Sequence, residues 1–394
     1  MALSIHSNSS DGLQRTSLHA LHVELGARLV PFAGYEMPLH YRSGILKEHL
    51  HTRAATGLFD VSHMGQIIVR ARSQTLAHAA RALESLMPAD VLGLGQGHQR
   101  YSLLTNSTGG ILDDLMLANL GDRFMLVVNA SRKDDDGAHL RKSLAETCIV
   151  ERLQDQALIA LQGPLAEAVL STCADISTMC FMEVRSVEIF GVDCIVSRSG
   201  YTGQDGFEIS IPAAFAEFLA RKFLAHPAVA PIGLGARDSL RMEAGLPLYG
   251  SDLDTETTPV EAALEWTIAR SRRQGGPRAG GFPGEEVILR QLSVGAKRRR
   301  VGLRSKERTP IRGGSMLYSD DDSQITIGQV TSGGFGPSVN APVAMGYVAT
   351  ARSRPGSTIS AEVRAKRVPV EVCELPFVEP RYKRRKTTRM GGPC

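Results

Sequence analysis

The chain has 394 residues, of which 43% are hydrophobic and 22% charged, so it is long enough for two or three domains with cores of their own. It contains no run of about 18 apolar residues, which argues against a membrane span. The six cysteines form no CxxC pair, so buried or surface thiols are a better interpretation than a metal or thioredoxin-type site. Residues 1–12 lack both the apolar stretch of a secretory signal and the arginines of a mitochondrial presequence. We predict a bacterial cytoplasmic protein, with a mature form from the mitochondrial matrix as the alternative.

The net charge is only +4, but basic residues are concentrated in two runs, 297–300 and 381–386. Such runs are usually solvated faces or disordered ends, and attraction to an acidic partner or a polyanion is the second interpretation. An RNA-binding protein that acts through its basic tail is therefore one hypothesis for this chain.

Apolar residues at helical spacing from Leu18 to Leu25 predict a first helix that ends near Gly26. Between residues 53 and 155, short apolar runs alternate with polar helices, which indicates an α+β fold. Further along, the pattern predicts a strand at 158–161, a helix at 165–170, a hairpin at 187–199, a strand at 207–211 and a helix with an apolar stripe at 215–223.

The composition changes at 271–284, a stretch rich in Arg, Gly and Pro, which marks a boundary or a long loop. Beyond it the apolar period becomes two, as at Ile359, Ala361 and Val363. Several short alternating strands at regular spacing predict a small C-terminal β-barrel or sandwich.

Two glycine-rich stretches fail as nucleotide-binding loops. The spacing of Gly93–Gly97 is wrong for a dinucleotide loop, and Asp238 stands where the stretch beginning at Gly233 needs its third glycine. No GxxxxGK[ST] motif occurs in the chain. Ordinary turns are the better interpretation, and the sequence predicts no nicotinamide cofactor.

The histidines give equally little support to a metal site. His19 and His22 have no cysteine or carboxylate at ligand spacing, and His49 and His51 would point to different faces of a helix. His63 is either a base or a hydrogen-bonded structural residue, and the sequence does not decide between the two. We predict no bound metal.

A pair of carboxylates, Asp113 and Asp114, follows the flexible turn at Gly109–Gly110. Paired acids that lie close together can have their pKa values pushed apart, which suits proton handling. The alternative is that they cap or solvate a turn, and the spacing alone slightly favours that alternative.

Two other polar segments have both a binding and a structural interpretation. The loop at 200–206 carries three glycines, offers the ring of Tyr201 and leads to Glu208, so it either contacts a ligand or is an ordinary hairpin loop. Arg237 and Arg241 lie one helical turn apart, where they either form surface ion pairs or hold an anion.

Ten short segments, taken together, resemble the glycine cleavage T-protein family. They occur in the family's order and extend the resemblance from about residue 16 to residue 382. The segments are PFAGYEMP (31–38), LFDVSHM (58–64), GILDDL (110–115), LQGP (161–164), GYTGQDG (200–206), ARDSLR (236–241), TPVE (258–261), FPG (282–284), VTSG (330–333) and AMGY (344–347).

The resemblance implies an α+β, three-domain, cloverleaf-like fold with a central folate cavity and a C-terminal small β-barrel. We expect a folate-binding region of two intertwined lobes at 13–275, a connecting segment at 276–296, the barrel at 297–380 and a basic tail at 381–394. The implied reaction moves the one-carbon unit of an aminomethyl group from the dihydrolipoyl arm of the lipoylated H-protein to tetrahydrofolate. It releases ammonia and forms 5,10-methylenetetrahydrofolate, without metal, NAD, pyridoxal phosphate, nucleic acid or membrane.

The resemblance also implies roles for individual residues. Asp114, the second acid of its pair, corresponds to the family's critical carboxylate near the reacting folate nitrogen. Glu208, Arg237 and Tyr382 correspond to folate contacts. The cavity-wall positions that match less specifically are Met64, Tyr101, Val127, Asn129, Tyr201 and Trp266.

Some features separate this chain from the family's usual pattern and from its neighbours. Tyr35 stands where the family often has tryptophan, and 274–281 and the tail are longer and more basic than usual. Arg198–Tyr201 lacks the cysteine of the related folate-binding iron–sulfur assembly factors. The chain also has no flavin-binding extension of the kind that sarcosine or dimethylglycine oxidases carry.

Overall fold

The computed structural model describes residues 12–73, 75–305, 307–320 and 325–385. The helices are His19–Glu24 (α1), Ile45–Ala54 (α2), Leu76–Glu84 (α3), Lys133–Ser143 (α4), Ala166–Leu170 (α5), Ala216–Leu224 (α6), Leu234–Glu243 (α7) and Glu285–Val294 (α8). Short 3-10 turns lie at Ala213–Phe215, Glu265–Thr267, Arg270–Arg272 and Thr350–Arg352. In the part of the chain so described, no helix is long and apolar enough to cross a membrane.

The strands form four groups. They are Arg28–Phe32 (β1), Tyr35–His40 (β2), Thr56–Asp60 (β3), Gly65–Ala71 (β4), His98–Thr105 (β5), Ile111–Asn119 (β6), Phe124–Val128 (β7), Cys148–Arg152 (β8), Gln156–Gln162 (β9), Val184–Ile189 (β10), Val192–Ser197 (β11), Gly206–Pro212 (β12), Val229–Ile232 (β13), Arg298–Ser305 (β14), Met316–Tyr318 (β15), Thr326–Gly336 (β16), Ala341–Ala349 (β17), Thr358–Val363 (β18) and Lys366–Cys373 (β19). Strands β1 and β2 pair as a hairpin, and the others build two sheets and a closed barrel.

The first sheet has six strands in the order β10-β11-β12-β9-β3-β13, antiparallel except for the parallel pair β3 and β13. Strand β9 is buried on both faces. Ile159 and Leu161 belong to the core under α5 and α6, while Leu158 and Ala160 pack towards α7. Burial on both faces explains why this strand is continuously apolar in the sequence. The predicted strand at 158–161 is confirmed.

The second sheet is antiparallel in the order β5-β6-β7-β4-β8 and carries α3 and α4 on the face that forms its core. The chain enters this sheet from β3, builds it between β4 and β8, and returns to the first sheet at β9. The two sheets are therefore joined by two crossings of the chain between residues 60 and 156. This arrangement confirms the predicted α+β class.

The C-terminal strands close into a barrel in the order β14-β17-β16-β15-β18-β19, with β19 paired back to β14. Alternate residues of β18 and β19, including Ile359, Ala361 and Val370, fill its interior. The period-two pattern predicted a small barrel or sandwich, and the structure shows the barrel that the family resemblance implied.

The basic, glycine-rich stretch at 271–284 is packed against the second sheet and is not an open linker. Arg272 is buried and donates to the Glu84 carboxylate at 2.9 Å and to its main-chain carbonyl at 2.7 Å. Arg278 also donates to Glu84, at 3.0 Å, and pairs with Asp90. The sequence showed only the turn-rich composition, because both acids lie more than 180 residues earlier in the chain.

Candidate active site

The carboxylates Asp113 and Asp114 lie within strand β6 and do not cap a turn, so the interpretation slightly favoured by spacing alone is wrong. Antiparallel pairing places Asp113 opposite Leu104 and Asp114 opposite Leu103 of β5. Because successive side chains of a strand point to opposite faces, the neighbours occupy different environments. Asp113 is fully buried, whereas Asp114 is only partly buried.

Two side chains hold the Asp114 carboxylate. The Tyr101 hydroxyl donates to its Oδ2 at 2.9 Å, and the Asn129 amide donates to its Oδ1 at 2.8 Å. The same amide also donates to Asp113 at 2.9 Å, so Asn129 connects the two acids. The Tyr101 ring packs against Trp266, whose exposed fraction is 63%, with 5.4 Å between ring centroids. A residue at the protein surface is thus two contacts from Asp114.

The surroundings of Asp114 raise its pKa to about 7. Desolvation is the main cause, and the nearby charge of Asp113 adds to it, while the hydrogen bonds from Tyr101 and Asn129 act in the opposite direction. A carboxyl group in this range can take up and release a proton near neutral pH.

Glu208 and Arg237 are brought together from different elements. Glu208 lies on β12, where its Oε2 accepts a hydrogen bond of 3.0 Å from the Ser199 hydroxyl. Arg237 lies in the first turn of α7, and its guanidinium carbon is 4.9 Å from the centre of the Tyr201 ring. Burial lowers the pKa of the Arg237 guanidinium, and the negative charge of Glu208 partly offsets this effect.

Tyr201 connects this pair with Asp114. Its hydroxyl donates to the Pro247 carbonyl. Desolvation is the dominant influence and raises the pKa of Tyr201. The charge of Asp114 also raises the pKa of this hydroxyl, and the charge of Arg237 lowers it. The predicted residues Asp114, Tyr201, Arg237 and Glu208 therefore form one electrostatic neighbourhood.

Met64 and Val127 provide an apolar wall beside Arg237. Both are half-buried and pack against a cluster that includes Ala236 and Leu240 of α7. Val127 also pairs with Met116 across β6 and β7, two residues beyond Asp114 on the same strand. Both residues thus pack on the cluster beneath α7, and Val127 lies on the strand next to the one that carries Asp114.

Tyr382 lies at the edge of this neighbourhood. Its ring is stacked on Phe181, with centroids 3.9 Å apart and an interplanar angle of 7°. The adjacent main chain is bonded to the glycine-rich loop, since the Arg381 amide donates to the Gly203 carbonyl and the Lys383 amide to Asp205. One face of the tyrosine ring is therefore covered by Phe181.

His63, which the sequence left undecided, is buried beside the site. Its ring makes edge contacts with Phe32 and Tyr35, at centroid distances of 5.6 and 6.4 Å. Burial lowers its pKa to about 3, so the imidazole is neutral at physiological pH. Lys133 donates to the His63 carbonyl at 3.0 Å and to the Tyr35 hydroxyl at 2.6 Å, so Tyr35 has a polar partner here. A pKa of about 3 makes the His63 imidazole a weak base, which argues against a role as general base.

Other histidines have carboxylate partners that the sequence did not reveal. His22 contacts Asp60 at 2.9 Å, and His49 contacts Glu243 at 3.1 Å, in both cases with the side chains buried. These are pairs from distant parts of the chain. Over the described ranges, no group of three or more His, Cys, Asp or Glu side chains is arranged to hold a metal ion.

Several residues of the two basic runs form ion pairs or hydrogen bonds within the protein. In the first run, Arg298 pairs with Glu261, Arg299 with Glu265, and Arg300 donates to buried carbonyls. In the second run, Lys383 pairs with Glu167 and Arg385 with Glu183. Lys386 and the rest of the tail lie outside the described residues.

Comparison with known proteins decides the family. The model described as the GCVT N-terminal domain matches residues 18–272, and the glycine cleavage T-protein C-terminal barrel domain matches residues 298–379. The chain belongs to the glycine cleavage T-protein family of aminomethyltransferases. The mitochondrial aminomethyltransferase of Dictyostelium discoideum is 42% identical over 96% of this chain and 95% of its own length. That of Gallus gallus is 43% identical over 95% of each.

A solved T-protein has the same architecture. The glycine cleavage system aminomethyltransferase T from Bartonella henselae superimposes with a TM-score of 0.88 at 44% identity, and the match covers 94% of this chain and 100% of that one. The family membership and the aminomethyltransferase class implied by the ten segments are therefore confirmed, as is the predicted fold.

Asp136 is a residue near the site that sequence reasoning missed. It lies in the first turn of α4, is buried, and its charge helps to raise the pKa of Asp113. In the sequence it is one of three consecutive aspartates, which reads as an exposed, acidic helix start. Its burial is visible only once α4 is packed on the sheet.

Proposed function

We propose that this T-protein family member transfers the one-carbon unit of an aminomethyl group to tetrahydrofolate. The donor is the aminomethyl group on the dihydrolipoyl arm of a lipoylated H-protein, and the products are ammonia and 5,10-methylenetetrahydrofolate. The observation that carries the proposal is Asp114, a half-buried carboxyl group fixed by Tyr101 and Asn129 with its pKa raised to about 7.

The chemistry needs a carboxyl group of this kind. Forming the product removes two N–H protons from tetrahydrofolate; one ends on the departing ammonia and the other on the freed thiol. The transferred carbon develops positive charge as its nitrogen leaves, and a fixed carboxylate next to it stabilises that charge. With a pKa near neutrality, Asp114 is also able to hold one of the moving protons.

The residues around Tyr201 fit the pterin end of a folate. Within the described residues, Arg237 Nη1 is buried and has no hydrogen-bond partner, so it is available to an acceptor on a ligand. The Glu208 carboxylate can accept hydrogen bonds from the adjacent ring and amino N–H groups of a pterin. We propose Glu208, Arg237 and Tyr382 as folate contacts. The proposed wall positions are Met64, Tyr101, Val127, Asn129, Tyr201 and Trp266.

The remaining expectations extend this proposal. Residues 13–275 would form the folate-binding region, 276–296 the connecting segment, 297–380 the barrel and 381–394 the tail. We assign no metal, NAD, pyridoxal phosphate, nucleic acid or membrane to the function. The aminomethyltransferases of Dictyostelium discoideum and Gallus gallus are named as mitochondrial. We propose the bacterial cytoplasm as the location, with the mitochondrial matrix as the alternative.

Reconstitution tests the proposal. The full chain is mixed with aminomethyl-loaded H-protein and tetrahydrofolate, and ammonia and 5,10-methylenetetrahydrofolate are measured with and without EDTA. We expect equal amounts of the two products and no effect of EDTA, because the site depends on carboxylate and guanidinium groups. Absence of both products would refute the transfer, and loss of turnover on chelation would refute the metal-free site.

A further inference from the structure

Asp113 and Asp136 form a buried pair of acids behind Asp114. Asp113 is 0% exposed on β6, and Asp136 is 2% exposed in the first turn of α4. The two carboxyl groups are near enough for a hydrogen bond to form once one of them carries a proton. Nothing in the T-protein reaction as proposed above uses Asp136 directly.

The surroundings of Asp136 require a proton in this pair. Its Oδ2 is enclosed, and no donor among the described residues reaches it. Two ionised carboxylates cannot donate to one another, and leaving both charged and buried is costly. One proton shared between Asp113 and Asp136 satisfies the enclosed oxygen and removes one of the two charges.

Asn129 transmits the state of this pair to Asp114. Its main-chain N–H donates to Asp113 Oδ2 at 3.0 Å and its amide to Asp113 Oδ1 at 2.9 Å. The same amide donates to Asp114 Oδ1 at 2.8 Å. Asn129 therefore cannot move with Asp113 without changing its bond to Asp114.

We propose that Asp136 and Asp113 hold one proton between them and act as positioning residues that fix Asn129 against Asp114. The proposal rests on the function proposed for Asp114. Loss of the shared proton would place two anions in contact, push Asp113 away from Asp136 and disturb the Asn129 amide. Turnover would then decline at alkaline pH for a reason that does not involve substrate binding.

Other charged and titratable groups surround the pair and influence its protonation. Arg132 and Asp135 act on Asp136 from α4, and Asp114 acts on it from β6. Tyr249, in the segment after α7, lies under the Arg132 guanidinium at 5.7 Å and feels both acids of the pair. Burial is the main cause that raises the pKa of both Asp136 and Asp113 above the usual range of an aspartate.

The test compares Asp136→Asn and Asp136→Ala with a matched control, Asp134→Asn. Asp134 lies in the same helical turn, but its side chain is 81% exposed and pairs with Arg152. The pH profiles of kcat and of KM for tetrahydrofolate are measured with loaded H-protein. We expect Asp136→Ala to lower kcat about tenfold, or about 1.4 kcal/mol, with little change in KM.

The conservative variant gives the sharper result. Asparagine offers a permanent N–H donor to Asp113 and does not ionise, so Asp136→Asn should retain several times more turnover than Asp136→Ala. It should also move the alkaline decline of kcat upward by at least about one pH unit, the scale of losing one interacting charge. An unmoved decline, or the same shift in Asp134→Asn, would overturn the proposal.

A titration without substrates separates this inference from the proposed function. Carboxyl carbon resonances of the wild type are followed by NMR and assigned from Asp113→Asn and Asp136→Asn. We expect these two acids to titrate in two linked steps, the second above neutral pH. Ordinary titration of both near pH 4 would overturn the shared proton. If linked titration occurs in a protein that makes no methylenetetrahydrofolate, the proposed function fails and the shared proton stands.

Discussion

Asp113 and Asp114 are neighbours in the chain, yet the strand gives them different roles. The pleat of β6 turns Asp113 into the interior towards Asp136 and Asp114 towards Tyr101. The resemblance to the family selected Asp114 as the critical carboxylate. It could not show the buried partner of Asp113, because that contact depends on how α4 packs.

The raised pKa of Asp114 predicts a pH-dependent stability. Its pKa is about 7 in the folded protein and about 3.9 in an unfolded chain, so the folded state binds more protons between these values. The stabilising contribution is complete below about pH 4 and is lost as the pH rises to about 7. The free energy of unfolding of the wild type, relative to Asp114→Asn, should therefore fall over this window.

Urea unfolding of both proteins between pH 4.5 and 8 measures this difference. Each pKa unit corresponds to about 1.4 kcal/mol, so the relative loss should be at most about 4 kcal/mol. A difference that stays constant with pH would show that Asp114 titrates normally in the folded protein.

Glu208 and Arg237 should control folate affinity. Replacing Glu208 with Gln keeps the shape but removes the charge, and Arg237→Ala removes the unpartnered donor. We expect each to weaken tetrahydrofolate binding by about 1.5–3 kcal/mol, the usual range for a hydrogen bond to a charged group. Calorimetric titration checks this, with Glu217→Gln as an exposed control on α6. Unchanged affinity in both site variants would leave the two residues a structural role only.

Helix α7 serves two parts of the molecule at once. Its first turn carries Arg237 to the site. One turn later, Arg241 donates to Asp252 in the segment after α7 at 2.8 Å and to Ser332 of barrel strand β16 at 2.9 Å. The sequence allowed either ion pairing or anion binding for both arginines. The structure separates them, since Arg241 is fully paired and Arg237 Nη1 has no partner in the described part of the chain.

Breaking the Arg241 contact should destabilise the fold. Arg241→Met leaves Asp252 buried without its cation, which typically costs about 3–5 kcal/mol. The measurement is urea unfolding, with Arg70→Met as the control, because the Arg70–Glu151 pair is exposed. An exposed pair contributes about 1 kcal/mol or less. Equal effects of the two substitutions would mean that α7 is not anchored through Arg241.

Elements with a clear period were predictable from sequence, whereas contacts between elements were not. The hairpin at 187–199 and the barrel strand containing Val368, Val370 and Val372 follow directly from alternation. The Arg272–Glu84 and His49–Glu243 pairs join residues 188 and 194 positions apart. No local pattern marks such partners, because each is chosen by the packing of complete elements.

At the scale of the whole molecule, several residues of the two basic runs form ion pairs between different parts of the chain. The run at 297–300 ties the barrel to the 261–265 segment, and Lys383 and Arg385 tie the C-terminal segment to the first sheet. These cations therefore help to join the domains. Trp266 is exposed and lies two contacts from Asp114, so its surface is one place to test for docking of the proposed H-protein partner.

The most direct test of the account is single-turnover transfer from labelled aminomethyl H-protein to tetrahydrofolate by wild type, Asp113→Asn and Asp114→Asn. Losing one preorganised electrostatic group typically costs at least about a hundredfold. We therefore predict at least that loss of rate for Asp114→Asn, with folate binding and melting temperature little changed. Asp113→Asn should lower stability and, because Asp113 positions Asn129, slow transfer by about tenfold, which is much less than the loss for Asp114→Asn. Abolished transfer in Asp113→Asn together with full transfer in Asp114→Asn would contradict the account, because the essential carboxylate would then be the other one.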